Sequence, residues 1–155
     1  MRKAAVIFIL FLLLAAPFAQ RILLNADAVV AGEAYRSAQP SSGQLNDLVA
    51  AHGIRSVLNL RGEHSGSSWY DEEMEASRAL GLEHYDVGLS AIREVPPEQL
   101  RAIMEIIRRA PKPILIHCQG GADRTGLVSA AWVLTRGDGI DAATPQLSFR
   151  YFHFP

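Results

Sequence analysis

Ile114-Leu115-Ile116-His117-Cys118-Gln119-Gly120-Gly121-Ala122-Asp123-Arg124-Thr125-Gly126 joins three kinds of sequence in one short stretch. The Ile-Leu-Ile run, extended from Pro113 to His117, reads as a strand buried on both faces. A Gly-Gly turn follows and carries the only cysteine of the chain. From Thr125 to about Arg136 the pattern is helical, with Leu127, Val128, Ala131, Val133 and Leu134 as apolar positions. A strand that turns directly into a helix is the repeating unit of α/β domains, where ligands collect beyond the carboxyl ends of the strands. His117 and Cys118 lie at such an end.

Upstream, the same alternation repeats. A helix from Pro97 to near Pro111 carries Leu100, Ile103, Met104 and Ile107 at amphipathic spacing, and Pro97 suits its first turn. Leu82 to Leu89 reads as a strand, Trp69 to Leu80 as a helix ending at Gly81, and Ile54 to Leu60 as a strand with Val57, Leu58 and Leu60 inside. Before these, Ser41 or Ser42 caps a helix bearing Leu45, Leu48 and Val49 that stops at Gly53. Glu33 to Ser37 is a short strand entering the turn Ala38-Gln39-Pro40. The expected fold is α/β, a single domain over residues 33–155 with a central, mostly parallel sheet flanked by helices. Residues 25–32 have a weak pattern and read as a tether.

Residues 1–24 read as a signal peptide or membrane anchor, a hydrophobic helix ahead of the domain. Arg2 and Lys3 precede the stretch Ala4 to Ala19, which holds no charged residue. Cleavage after Ala16 would leave Pro17 next, and cleavage after Ala19 would put Pro17 where a small residue is wanted, which favours an uncleaved anchor. Ile22 to Leu24 extend the apolar length past Gln20 and Arg21. The cations ahead of the run place the N-terminus in the cytoplasm and the domain outside, so the expected location is exported, periplasmic in a bacterium, or secreted after cleavage. A net charge of -1 excludes the strong cationic face that a nucleic-acid partner demands. One cysteine makes no internal disulfide, and the five histidines have no metal-ligand spacing, so neither metal nor other cofactor is expected.

The loop itself carries the chemistry. Cys118 sits where the amides of a tight turn and a helix N-terminus converge, and these dipoles together with Arg124 favour a thiolate nucleophile. Gln119, Gly120, Gly121, Ala122 and Asp123 can turn successive N–H groups toward a tetrahedral oxyanion as a nest, and Arg124 adds a fork that matches two phosphate oxygens. Thr125 is placed to hydrogen-bond the sulfur, and His117 to orient the loop from behind.

His117-Cys118-x-x-Gly121-x-x-Arg124-Thr125-Gly126 resembles the Cys-x5-Arg-Ser/Thr signature of the protein tyrosine and dual-specificity phosphatase superfamily. Tyr35-Arg36-Ser37-Ala38-Gln39-Pro40 and Val57-Leu58-Asn59-Leu60-Arg61 are similar to the opening elements of bacterial dual-specificity-like phosphatases, so the resemblance runs from Glu33 onward. It implies a dual-specificity-phosphatase-like fold and phosphomonoester hydrolysis through a phosphocysteine intermediate without a metal. Related domains continue with further helix beyond the counterpart of Gln146 to Pro155, so the expectation is either a more economical closure of the core or a shortened product with some loss of stability.

The general acid is open between three carboxyls. The resemblance places an Asp in the loop leading to the helix before the nucleophile strand; Asp86 fits by its distance ahead of Cys118 but falls inside a predicted strand, and the loop itself offers Arg93-Glu94. Asp-Arg-Thr within the loop is similar to phosphoinositide phosphatases of the myotubularin type, in which the loop Asp is implicated as acid. The order of preference is Asp123, Glu94, Asp86, with helix capping as the plain alternative for Asp123. Arg61 either binds substrate or pairs with Glu63, Trp69 and Trp132 read as packing residues, and the tail Tyr151, Phe152 and Phe154 is expected to pack on the domain.

The leading function is a phosphatase acting on phosphotyrosine, phosphoserine or phosphothreonine in proteins. A phosphorylated lipid or inositol is the alternative substrate, and the N-terminal segment brings a membrane as partner. Two other classes compete: a pseudophosphatase that binds phosphate with weak turnover, and a rhodanese-type sulfurtransferase. Retention of both Cys118 and Arg124 opposes the first, and the His-Cys-x5-Arg-Thr spacing running into a helix opposes the second.

Overall fold

The computed structural model describes residues 24–154, and the apolar N-terminal run lies outside the described residues. Strands β1 (Asp27–Val30), β2 (Ala34–Ser37), β3 (Ser56–Asn59), β4 (Glu83–Asp86) and β5 (Ile114–His117) form one sheet in the order β1-β2-β5-β3-β4. β2, β5, β3 and β4 run parallel, and β1 pairs antiparallel with β2, so the sheet is mixed with a parallel centre. The register is flush at one end. Ser37 faces His117, His117 faces Asn59, and Asn59 faces Asp86, so the loops leaving four strands open along the same sheet edge.

Helices α1 (Ser42–His52), α2 (Ser68–Ala79), α3 (Pro97–Arg109) and α4 (Asp123–Thr135) cover the two faces. α1 starts in a capping box: Ser41 Oγ accepts from Gln44 N–H and Gln44 Oε1 from Ser41 N–H, which satisfies two amides the helix leaves open. Gly53, at φ 67, ends it in the left-handed conformation. Strand alternation then divides the core. Val57 and Leu115 pack with Leu45, Leu48 and Ile54 on the α1 and α2 side. Leu58, Ile114 and Ile116 pack with Ile103, Ile107, Val128 and Trp132 on the α3 and α4 side. All four residues of β5 are fully buried, and each aliphatic one contributes about 2 kcal/mol to folding.

Four expectations need correction. The predicted tether holds an edge strand, β1, whose Val29 and Val30 cover the flank of α4 beside Ala130, Val133 and Ala143. β4 stops at Asp86 instead of Leu89; beyond it Gly88 lies so close to Gly62 that a Cβ on Gly62 would sit 2.9 Å from the Gly88 Cα. α4 begins at Asp123, two residues ahead of Thr125, which brings Asp123 and Arg124 into its first turn. Finally, the C-terminal aromatics do not all pack. After a short helix α5 (Ile140–Ala143) come 3-10 turns Thr144–Leu147 and Phe149–Tyr151, which bury Gln146 and Tyr151 but leave Phe152 51% and Phe154 64% exposed. Among the described residues, no helix is long and apolar enough to cross a membrane.

Candidate active site

Cys118 follows β5 directly and is 2% exposed, at the floor of the loop that enters α4. The loop's carbonyls are taken from outside. Gln39 N–H donates to Gln119 O at 3.2 Å, Asn25 Nδ2 to Gly120 O at 3.1 Å, and Arg36 Nη2 to Gly121 O at 2.7 Å. Because N–H and C=O of a peptide point in opposite directions, this turns the amides of Gly120, Gly121 and Ala122 toward the concave side. Among the described residues no acceptor takes them. The loop therefore has its carbonyls braced on one side and these amides open on the other.

Glycine is required at its centre. Gly121 has φ +67, and a Cβ there would lie 2.6 Å from Ala38 N and 2.7 Å from Ser37 C, against the end of β2. Gly126, one turn into α4, would meet Gln146 O at 2.8 Å. Arg36 explains both approaches. Fully buried on β2, it donates to the backbone and side-chain oxygens of Gln146 at 2.7 Å and stacks on Tyr151 at 3.6 Å. Burial lowers its pKa to about 10, opposed by the charges placed around it, and it remains a cation at neutral pH.

Behind His117 lies a buried polar cluster. Glu73 of α2, 2% exposed, meets His117 Nε2 at 3.2 Å and His84 Nε2 at 2.8 Å, and also accepts from Gln39 Nε2. Burial pushes the Glu73 carboxyl up, but hydrogen bonds from His117 and His84 and their charge outweigh it and bring the group down to about 2. His117 is therefore held through Nε2 by a buried carboxylate. Thr125 departs from expectation: its Oγ1 is buried without a hydrogen bond, so no bond reaches the sulfur.

Arg124 Nη1 donates to Leu60 O and Leu89 O, both at 3.4 Å, which ties the guanidinium to the loops after β3 and β4. Its other N–H groups have no acceptor among the described residues. Arg61 does not pair with Glu63. Its guanidinium lies 3.3 Å over the Trp69 ring and donates to Gln39 Oε1 at 2.9 Å. The candidate acids are separated: Asp123 Oδ1 meets His153 Nδ1 at 2.8 Å, Asp86 accepts from Tyr70 Oη at 2.6 Å and Asn59 Nδ2 at 2.8 Å, and Glu94 is on an exposed loop. Among the described residues no group of His, Cys, Asp and Glu is arranged to hold a metal ion.

Arg36, Glu73 and Asn25 were not singled out from sequence. Glu73 carried one usable signal: with Tyr70 and Ser77 it occupies the inward stripe of α2, where an unpaired carboxylate is not tolerated.

The yeast inositol diphosphatase SIW14 from Saccharomyces cerevisiae is 33% identical over 102 residues, 63% of this chain and 35% of that protein. The chain thus spans little more than a third of that relative's length. The SIW14 core catalytic domain superposes with a TM-score of 0.70 at 27% identity, covering 83% of this chain and 76% of the domain. TpbA of P. aeruginosa shares the fold, with a TM-score of 0.58 at 21% identity over 80% of this chain and 72% of its own. A family model described as "Tc-R-P: Polymorphic toxin system, DSP-PTPase phosphatase" matches residues 30–138, which hold Cys118, the loop after it, Arg61 and Arg124; the chain belongs to that family and is a phosphatase of the cysteine-based protein tyrosine phosphatase superfamily.

Proposed function

We propose that this phosphatase removes the terminal phosphate of a diphosphate group carried on an inositol ring, through a phosphocysteine on Cys118. One observation carries the reading: a second arginine, Arg61, follows directly on Leu60, whose carbonyl accepts from Arg124, and its guanidinium is held flat on Trp69. Burial lowers the Arg61 pKa, and the charge of Arg124 lowers it further. Such a pair suits adjacent phosphates better than one phosphate on a neutral aromatic ring.

The engagement of two of the three candidate acids supports the same substrate, with only Glu94, on an exposed loop, left outside such pairs among the described residues. Asp123 is paired with His153, and Asp86 is committed to Tyr70 and Asn59. A serine or tyrosine ester expels an alkoxide or phenoxide and benefits from a proton donor. A phosphoanhydride expels a phosphate, whose second pKa is about 6, and needs none. The yeast relative's name, an inositol diphosphatase, points the same way.

The steps balance without a cofactor. The Cys118 thiolate attacks the terminal phosphorus, an S–P bond forms, and the anhydride P–O bond breaks with its electron pair going to the departing phosphate. The nest amides and Arg124 hold the three equatorial oxygens. Water then attacks the phosphocysteine, the S–P bond breaks, the thiolate is restored, and the water's proton leaves with orthophosphate.

Comparison of an inositol diphosphate, a phosphotyrosine peptide and an aryl phosphate tests this. Cys118→Ser is expected to abolish release from all three, by on the order of a thousandfold or more. Arg61→Ala is expected to raise KM for the inositol diphosphate about tenfold and leave the aryl phosphate little changed. Faster turnover of the peptide than of the diphosphate would return the reading to protein substrates.

A further inference from the structure

The C-terminal aromatics are the feature that catalysis leaves unused. Phe149 is 71%, Phe152 51% and Phe154 64% exposed, with the Phe149 and Phe154 rings edge to face at 4.9 Å. Phe152 holds a left-handed backbone, φ 60, that residues other than glycine rarely adopt, and its ring still stays in solvent. Between Phe152 and Phe154, His153 bonds to Asp123 of the phosphate loop. The apolar patch therefore adjoins the phosphate loop where it enters α4.

The other end of the chain arrives at the same place. Leu24 O accepts from Ala38 N–H, and Asn25, 7% exposed, donates to both Gly120 O and Tyr151 O. The chain at Asn25, downstream of the N-terminal run, is thus pinned between the phosphate loop and the aromatic turn. That run, Ala4 to Ala19, has no charged residue and is flanked by Arg2, Lys3 and Arg21. An apolar segment flanked by cations is a lipid-seeking sequence, and stable attachment to a bilayer takes a second contact besides a weak anchor. Aromatic rings beside a cation are what an interfacial contact uses, and Arg150, on the same turn, is paired with Asp27 at 2.5 Å while its side chain stays 73% exposed.

We propose that Phe149, Phe152 and Phe154 form a bilayer-docking surface that sets the phosphate loop at the lipid–water boundary. Diphosphate groups carried on membrane lipids then reach Cys118 without leaving the bilayer. The substrate consequence rests on the phosphatase reading above; the docking surface does not.

The test uses the full chain in vesicles of phosphatidylcholine and phosphatidylglycerol, with or without bromine on the acyl chains. Phe152→Trp and Phe154→Trp each add one indole to the background of Trp69 and Trp132. The added emission is expected to be quenched by the brominated chains. An unquenched signal in both variants overturns the proposal, as does an emission change that follows protein concentration without lipid, which would make the patch an interface between copies.

The combined variant Phe149→Ser, Phe152→Ser, Phe154→Ser supplies a second readout. Hydrolysis of a vesicle-embedded isoprenyl diphosphate is expected to fall about tenfold while a soluble aryl phosphate is hydrolysed as before. An equal fall on both substrates would assign these rings to support of the loop and sink the docking surface. If no form hydrolyses the aryl phosphate, the phosphatase reading fails alone and quenching still decides the membrane contact.

Discussion

The phosphate loop is finished differently on its two sides. On the carbonyl side, Gln119, Gly120 and Gly121 each accept a bond from a residue of β2, the turn after it or the segment before β1. On the amide side, the N–H groups of Gly120, Gly121 and Ala122 meet no acceptor among the described residues, and Arg124 is bound only through Nη1. The contrast shows where order is supplied. Rigidity enters from the face a ligand does not reach, so the donors on the other face stay aimed before an anion arrives, and little reorganisation is needed when it does.

The largest effect is expected where the two sides cannot be separated. Gly121→Ala would force a methyl carbon to 2.6 Å from Ala38 N at φ +67, so either the loop or the end of β2 must move. Strain of this kind costs about 1–3 kcal/mol of stability. A displacement of the nest near 1 Å would lower kcat about a hundredfold. Thermal melting and aryl phosphate turnover check the pair. Full turnover in this variant would show that the nest does not depend on its closeness to β2.

A smaller effect on rate, with a larger one on stability, is expected from Glu73. It touches the carbonyl side only through Gln39 and the Cys118 strand through His117. Glu73→Ala leaves two imidazoles without their buried partner and is expected to cost about 3–5 kcal/mol in denaturant unfolding. The sign of the pH dependence follows from the depressed carboxyl. Stability from Glu73 is fully present above its ordinary value of 4.5 and is lost as pH falls through about 2. Glu73→Gln should flatten that acid limb; an unchanged limb would place the acid sensitivity elsewhere.

The same contrast explains what was legible beforehand. The nest is contiguous in sequence, and its amides, cysteine and arginine are consecutive features of one turn, so Cys118 and Arg124 could be read directly. The parallel centre of the sheet was legible because the apolar runs at Val57 and Ile114 alternate with amphipathic helices. The brace is assembled from far apart: Arg36 lies 85 positions from Gly121 and Asn25 lies 95 from Gly120. No local pattern announces such pairs, since an arginine in a short strand or an asparagine before one reads as solvated. β1 escaped for a different reason. Its residues are all half-buried, and a strand that covers a helix flank without entering the core shows neither clean alternation nor an apolar run.

The smallest effect sharpens the contrast most. Asp123 is the loop residue that belongs to neither side: its carboxylate points to His153, and it stands in the first turn of α4. If it serves the amide side as a proton donor, Asp123→Asn should slow alkyl phosphates by the factor of about a hundred or more that general acids supply, and diphosphates much less. If it serves the brace, the loss should be nearly the same for every leaving group, and His153→Ala should reproduce it. The pairing with His153 and the proposed diphosphate substrate together give the expected outcome: a change within about threefold on the inositol diphosphate, set by the lost pair at the helix start. A steep dependence on leaving group in Asp123→Asn, absent from His153→Ala, would move Asp123 into the chemistry. The loop would then carry nucleophile, cradle and acid on its open side, and ester substrates would return as the better fit.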